Sequence, residues 1–169
     1  MEKGLAEGIK RVAEALNKHE VEYMFVGGVA ISFYGNPRPS LNLPKDVEYD
    51  IDVWYQAANN NFIKLIGWIS EISPELKDEL DKIVFDPKKT FIKFSLNEFH
   101  FDFLPELVAF YHKDFKRCFA SREVGEIDGV KFNVISKNDL LLDKEKLARD
   151  KDEADLENLK KNSFKGFVR

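Results

Sequence analysis

Between Val47 and Tyr55 the chain alternates bulky and acidic residues, with Asp50 and Asp52 set among Tyr49, Ile51 and Val53. Successive side chains of a β-strand point to opposite faces, so this alternation predicts a strand that turns both carboxylates one way and the apolar groups the other. Two ionised carboxylates so placed repel each other unless a cation or a shared proton compensates. Mg2+ commonly takes one or two protein carboxylates together with phosphate and water oxygens, which an Asp-x-Asp pair at a strand end can offer. A solvent-facing strand kept soluble by its acids would carry the same pattern.

The neighbouring segments narrow the choice. Leu5, Ile9, Val12, Ala13 and Leu16 recur at steps of three and four, predicting an amphipathic helix over 2–19. The run Tyr23 to Val26 then stops at Gly27-Gly28, and Val29 to Tyr34 resumes before Gly35-Asn36-Pro37, which reads as strand, glycine turn and short helix. Pro39 and Pro44 mark a long loop over 38–48 that leads into the acidic strand. Beyond it, Phe62, Leu65, Ile66, Ile69 and Ile72 predict a second covering helix, and Ser73-Pro74 opens a shorter one with Leu76, Leu80 and Ile83. Strands at 91–96 and 99–104 meet at Asn97-Glu98, and strands at 123–127 and 130–135 flank Asp128-Gly129. Ser136 can cap a helix with Asp139 at its third position, and Leu140, Leu141, Leu147, Leu156 and Leu159 supply the apolar side of a helical tail over about 137–162. The whole predicts an α/β (α+β) fold, a single domain over 1–169 with a mixed β-sheet flanked by helices.

Composition excludes several function classes. With 44% hydrophobic and 33% charged residues in a chain of 169, there is material for both a core and a charged surface. The net charge of −4 argues against a general nucleic-acid coat, which needs clustered Lys and Arg. The one cysteine, Cys118, has no disulfide partner and no zinc ligand set, as expected of a cytoplasmic protein. The first residues lack the apolar core of a signal peptide, and no stretch approaches the roughly 18 apolar residues of a membrane span, so no membrane association is expected.

Two further features join the acidic pair. Glycines between a strand and a helix start let a phosphate approach the backbone amides of the helix N-terminus, although Gly-Gly also occurs in ordinary tight turns. Asp102, between Phe101 and Phe103, sets a third acid on a strand, where taken alone an edge-strand role is the simpler reading.

In that order (strand, Gly-Gly turn, helix, loop, Asp-Ile-Asp strand, later strand acid) the chain resembles the nucleotidyltransferase fold superfamily. Its tail, Val134 to Leu140 followed by Lys144, Arg149, Lys151, Asp152 and Asp155, is similar to that of small bacterial and archaeal members, including minimal and antitoxin-like ones. The resemblance implies Asp50, Asp52 and Asp102 as ligands of Mg2+ or Mn2+, with Asp102 activating the attacking hydroxyl, and Gly27 and Gly28 receiving the triphosphate. Arg38 matches an arginine that in many relatives lies just before the Asp pair, with roughly eight additional residues intervening here. Gly28 stands where better-known members have serine, so a hydroxyl contact to phosphate is absent.

The implied activity is transfer of a nucleoside monophosphate from a nucleoside triphosphate to an acceptor hydroxyl on a small molecule, a protein or an RNA end. The alternative is a non-catalytic or regulatory module of the same fold, such as the antitoxin-like partner of a toxin. A chain this short also suggests that a protein partner or a second copy, as in a homodimer, completes the site. Lys144 can bury its stem beside the helical stripe and present its ammonium to a nearby cleft as a triphosphate ligand. Arg149 and Lys151 are assigned to the surface, as four-residue ion pairs with Glu145 and Asp155. His100 alternates with Asp102 and can line the same face, while His19 and His112 are scattered.

Overall fold

A computed structural model of the chain describes residues 3–35, 46–147 and 150–161. Arg38, most of the 38–48 loop and Arg149 lie outside the described residues. Helix α1 (Lys3–Lys18) buries Ile9, Val12, Ala13 and Leu16, the stripe its spacing predicts. Strand β1 (Tyr23–Phe25) is three residues long, and α2 (Gly27–Tyr34) takes in both glycines instead of starting after them. Strand β2 is Tyr49–Tyr55, followed by α3 (Asn59–Ile72) and by a 3-10 turn (Pro74–Leu76) that runs into α4 (Lys77–Leu80). The helix after Pro74 ends at Leu80, short of Ile83.

Strands β3 (Ile92–Leu96) and β4 (Phe99–Leu104) form the first hairpin, and β5 (Glu123–Ile127) and β6 (Val130–Val134) the second. Positive φ at Asn97 (53°), Asp128 (48°) and Gly129 (83°) suits tight two-residue turns, and Asn, Asp and Gly tolerate that region best. Between the hairpins lies a helix the sequence reading does not anticipate, α5 (Phe115–Ala120), entered through a 3-10 turn at His112–Asp114. At six residues it is too short to show a periodic stripe. Helices α6 (Lys137–Leu147) and α7 (Asp150–Lys161) follow. Ser136 Oγ accepts the Asp139 N–H at 3.2 Å, the cap that their spacing predicts, and its hydroxyl also donates to Asp139 Oδ2 at 2.9 Å.

The six strands make one mixed sheet in the order β3-β4-β2-β1-β6-β5. β2 runs parallel to β4 and β1 parallel to β6, while β1–β2, β3–β4 and β5–β6 pair antiparallel. Trp68 of α3 packs edge-on against Phe94, Phe101 and Phe103, which fill one face of the sheet. On the other face Trp54 of β2 stacks on Phe110 and meets Phe115 edge-on, so α5 serves to cover a tryptophan. Among the described residues no helix is long and apolar enough to cross a membrane.

Candidate functional site

Register brings the acids together. β2 pairs with β4 so that Asp52 stands opposite Asp102 and Asp50 opposite His100. β4 pairs with β3 so that Asp102 stands opposite Lys93 and His100 opposite Ser95. Directly opposed residues share a face, so one face carries two rows, Asp52, Asp102, Lys93 and Asp50, His100, Ser95, with strands about 4.8 Å apart. The apolar partners Ile51, Phe101 and Phe94 point the other way and are buried.

Asp52 is the pivot. Its carboxyl is pushed up to about 6, first by burial and then by the charges of Asp50 and Asp102, against smaller lowering effects of Lys144 and of a hydrogen bond from the Gly28 N–H. That bond uses one amide of the α2 start which the resemblance assigns to triphosphate, because Val26, the N-cap residue, offers no capping side chain. Gly27 serves the acid as well. It sits at φ 51°, and a Cβ there would lie 1.9 Å from Asp52 Oδ2, so only glycine lets the helix start close on the strand. Gly28 differs, since a Cβ there meets nothing within 4 Å and faces open space. Gly27→Ala is accordingly expected to lose on the order of 2 kcal/mol or more of stability, and Gly28→Ser under about 0.5 kcal/mol. Urea denaturation of the two variants checks this, and equal losses would refute the division of labour between the glycines.

Asp102 is held from the edge strand. Lys93 Nζ donates to its Oδ2 at 2.5 Å. His100 Nε2 lies 3.2 Å from its Oδ1, and His100 Nδ1 is 2.8 Å from Ser95 Oγ. His100 thus shares the face of Asp102, whereas His19 and His112 pair elsewhere, with Glu71 and Glu106. Lys93 and Ser95 do not stand out in the sequence. The two-residue turn at Asn97-Glu98 carries the signal, because it fixes which residues oppose Asp102 and His100.

Lys144 lies inside the protein. It is 4% exposed, and its Nζ sits 3.0 Å from Oδ2 of Asp155, which is 1% exposed. Asp155 is therefore not the surface acid expected, since it pairs with Lys144 in the interior, while the Lys151 side chain lies outside the described residues. The buried face of α6 is Asp139, Leu140, Asp143 and Lys144, more charged than the leucine stripe predicts. Leu142, outside that stripe, is 53% exposed. Asp143 is tied down by the Ala109 N–H at 2.9 Å, and Asp139 by Arg117 and Ser121.

The crowding of Asp52 by Asp50 and Asp102 fits a divalent cation, whose charge would relieve the repulsion that adds to burial in raising the Asp52 carboxyl. Asp50 and Asp52 are the residues that would hold it. Asp102 is turned to Lys93 and His100, and among the described residues no three His, Cys, Asp or Glu side chains converge as a preformed ligand set.

A mixed sheet with these helices is a nucleotidyltransferase-like fold, and comparison with solved structures bears this out. The chain is similar to an antigenic nucleotidyltransferase-like protein from Paracoccidioides brasiliensis, with TM-score 0.56 and 14% identity over 92% of this chain and 73% of that one. The family model described as nucleotidyl transferase of unknown function (DUF2204) matches residues 5–168, and the chain belongs to that family. No curated protein matches it by sequence.

Proposed function

We propose that the chain transfers a nucleoside monophosphate from a nucleoside triphosphate to an acceptor hydroxyl, with Mg2+ or Mn2+ held by Asp50 and Asp52. The observation that supports this most is the register of β2 and β4, which sets Asp102 directly beside Asp52 where it also meets the α2 start. The bound cation would offset negative charge on the transferring phosphate. The triphosphate would lie over the open side of Gly28, near enough to Lys144 for its ammonium to contribute, as it already does at Asp52. Asp102 would accept the proton of the acceptor hydroxyl as that oxygen bonds to the α-phosphorus and the bond to pyrophosphate breaks.

The test is transfer of α-labelled triphosphate into candidate acceptors. Asp102→Asn is expected to keep metal-dependent nucleotide binding and to lose transfer by about 10²- to 10⁴-fold, since a general base acts in the reaction step. Wild-type rates in Asp102→Asn would overturn its role. Nucleotide binding without labelling of any acceptor would instead favour the regulatory module, with a protein partner as its target.

A further inference from the structure

We propose that Lys93, with His100 and Ser95 beside it, forms the acceptor side of the site and holds an oxyanion carried by the hydroxyl compound that receives the nucleotidyl group. This deepens the transferase reading and rests on it for the word acceptor, while the binding site itself stands on the edge-strand geometry.

A hydroxyl that gives its proton to Asp102 must come within hydrogen-bond distance of that carboxylate, and so close to the ammonium that already touches Oδ2. Lys93 has three N–H donors and Asp102 occupies one, while its side chain is 58% exposed and keeps access to solvent. On the β2 side of Asp102 stand two more carboxylates, which repel an anion. On the β3 side stand an ammonium and a hydroxyl, and the imidazole of His100, on β4 itself, is turned to that hydroxyl, a set that attracts one. β3 is the edge of the sheet, and Lys93 and Ser95 both lie exposed on it, so this side is open to a molecule arriving from solvent. Lysines on edge strands commonly guard against strand addition by reaching into water. Lys93 instead aims its ammonium across the face at Asp102, which serves recognition there.

The test uses glycerol, glycerate and glycerol 3-phosphate, which share a hydroxylated scaffold and differ in charge. They are titrated into the full chain without nucleotide or metal and followed by backbone amide shifts. Saturable shifts centred on β3 and β4 are expected for the two anions, with glycerol at least about ten-fold weaker. The stronger of the two identifies phosphate or carboxylate as the natural group. Lys93→Gln should erase the preference for the anions and Lys93→Arg should retain it, which also controls for folding. Equal binding of all three compounds, a preference that survives in Lys93→Gln, or shifts confined to Gly27 and Gly28 would overturn the proposal. Triphosphate binding is measured separately. Its absence alongside a working Lys93 site would sink the transferase reading only, and the reverse result would sink the acceptor site only.

Discussion

Lys144→Met is expected to cost about 3 to 5 kcal/mol of folding free energy, a large share of the margin of a domain this size. Lys144 and Asp155 meet at 3.0 Å with side chains 5% and 1% exposed. Both charges lie away from bulk solvent, so removing the ammonium takes the Lys144 counter-charge from a carboxylate in a medium that solvates it poorly. Because the pair joins α6 to α7, the loss should appear first as loosening of the C-terminal helices, read as faster amide exchange there. The double variant Lys144→Met/Asp155→Leu should recover most of the stability, since a buried ion pair replaced by apolar groups is often neutral. Denaturation of the single and double variants decides the matter. A single variant as stable as wild type would mean that the pair is unimportant.

Asp52→Asn is expected to stabilise the metal-free protein near neutral pH, and the sign follows from the direction of the shift. The Asp52 carboxyl is raised from 3.8 to about 6 in the folded chain. The folded state therefore holds this proton more tightly than the unfolded state, and the ionised form opposes folding. Stability should fall as pH rises between those two values and remain lower above them, by about 3 kcal/mol at most. Below the lower value both states are protonated and the penalty vanishes. The asparagine side chain carries no charge and can still accept the Gly28 N–H, so the variant should gain melting temperature at neutral pH and little in acid. Added Mg2+ should raise the melting temperature of the wild type near neutral pH, less so as protons compete, and leave Asp52→Asn unmoved. A variant that is less stable than wild type at every pH, or that Mg2+ stabilises equally, would contradict the electrostatic account.

Much of this site was legible in the residues, for reasons of period and turn chemistry. Alternation over Tyr49 to Tyr55 and Phe99 to Leu104 places the acids on strand faces without any knowledge of the fold, because side-chain direction in a strand depends only on parity. Asn97 and Asp128-Gly129 announce hairpins because few other residues accept their backbone angles. That Asp102 lands beside Asp52 was implied by the resemblance and by no local pattern, since β2 and β4 are separated by two helices and a third strand, and parallel register is set by packing. The setting of Lys144 was hidden for a related reason. Its neighbours Leu140, Leu141 and Leu147 suggest an apolar stripe, yet α6 also buries Lys144, which Asp155 of α7 meets, and Asp143, which accepts the Ala109 N–H. A partner from another helix converts a charged face into an interior one, and no local pattern records it. Lys93 reads as an ordinary edge lysine until the hairpin register is traced to Asp102.

The most direct test of a metal-dependent nucleotide site is calorimetric titration of a non-hydrolysable nucleoside triphosphate into the protein, with and without Mg2+, in wild type, Asp50→Asn and Asp52→Asn. Saturable binding that requires Mg2+ is expected for the wild type, weakened by at least about ten-fold in either variant although both remain folded. Binding that is indifferent to Mg2+ or equal in all three proteins, or no binding to the wild type at all, would contradict the assignment of Asp50 and Asp52.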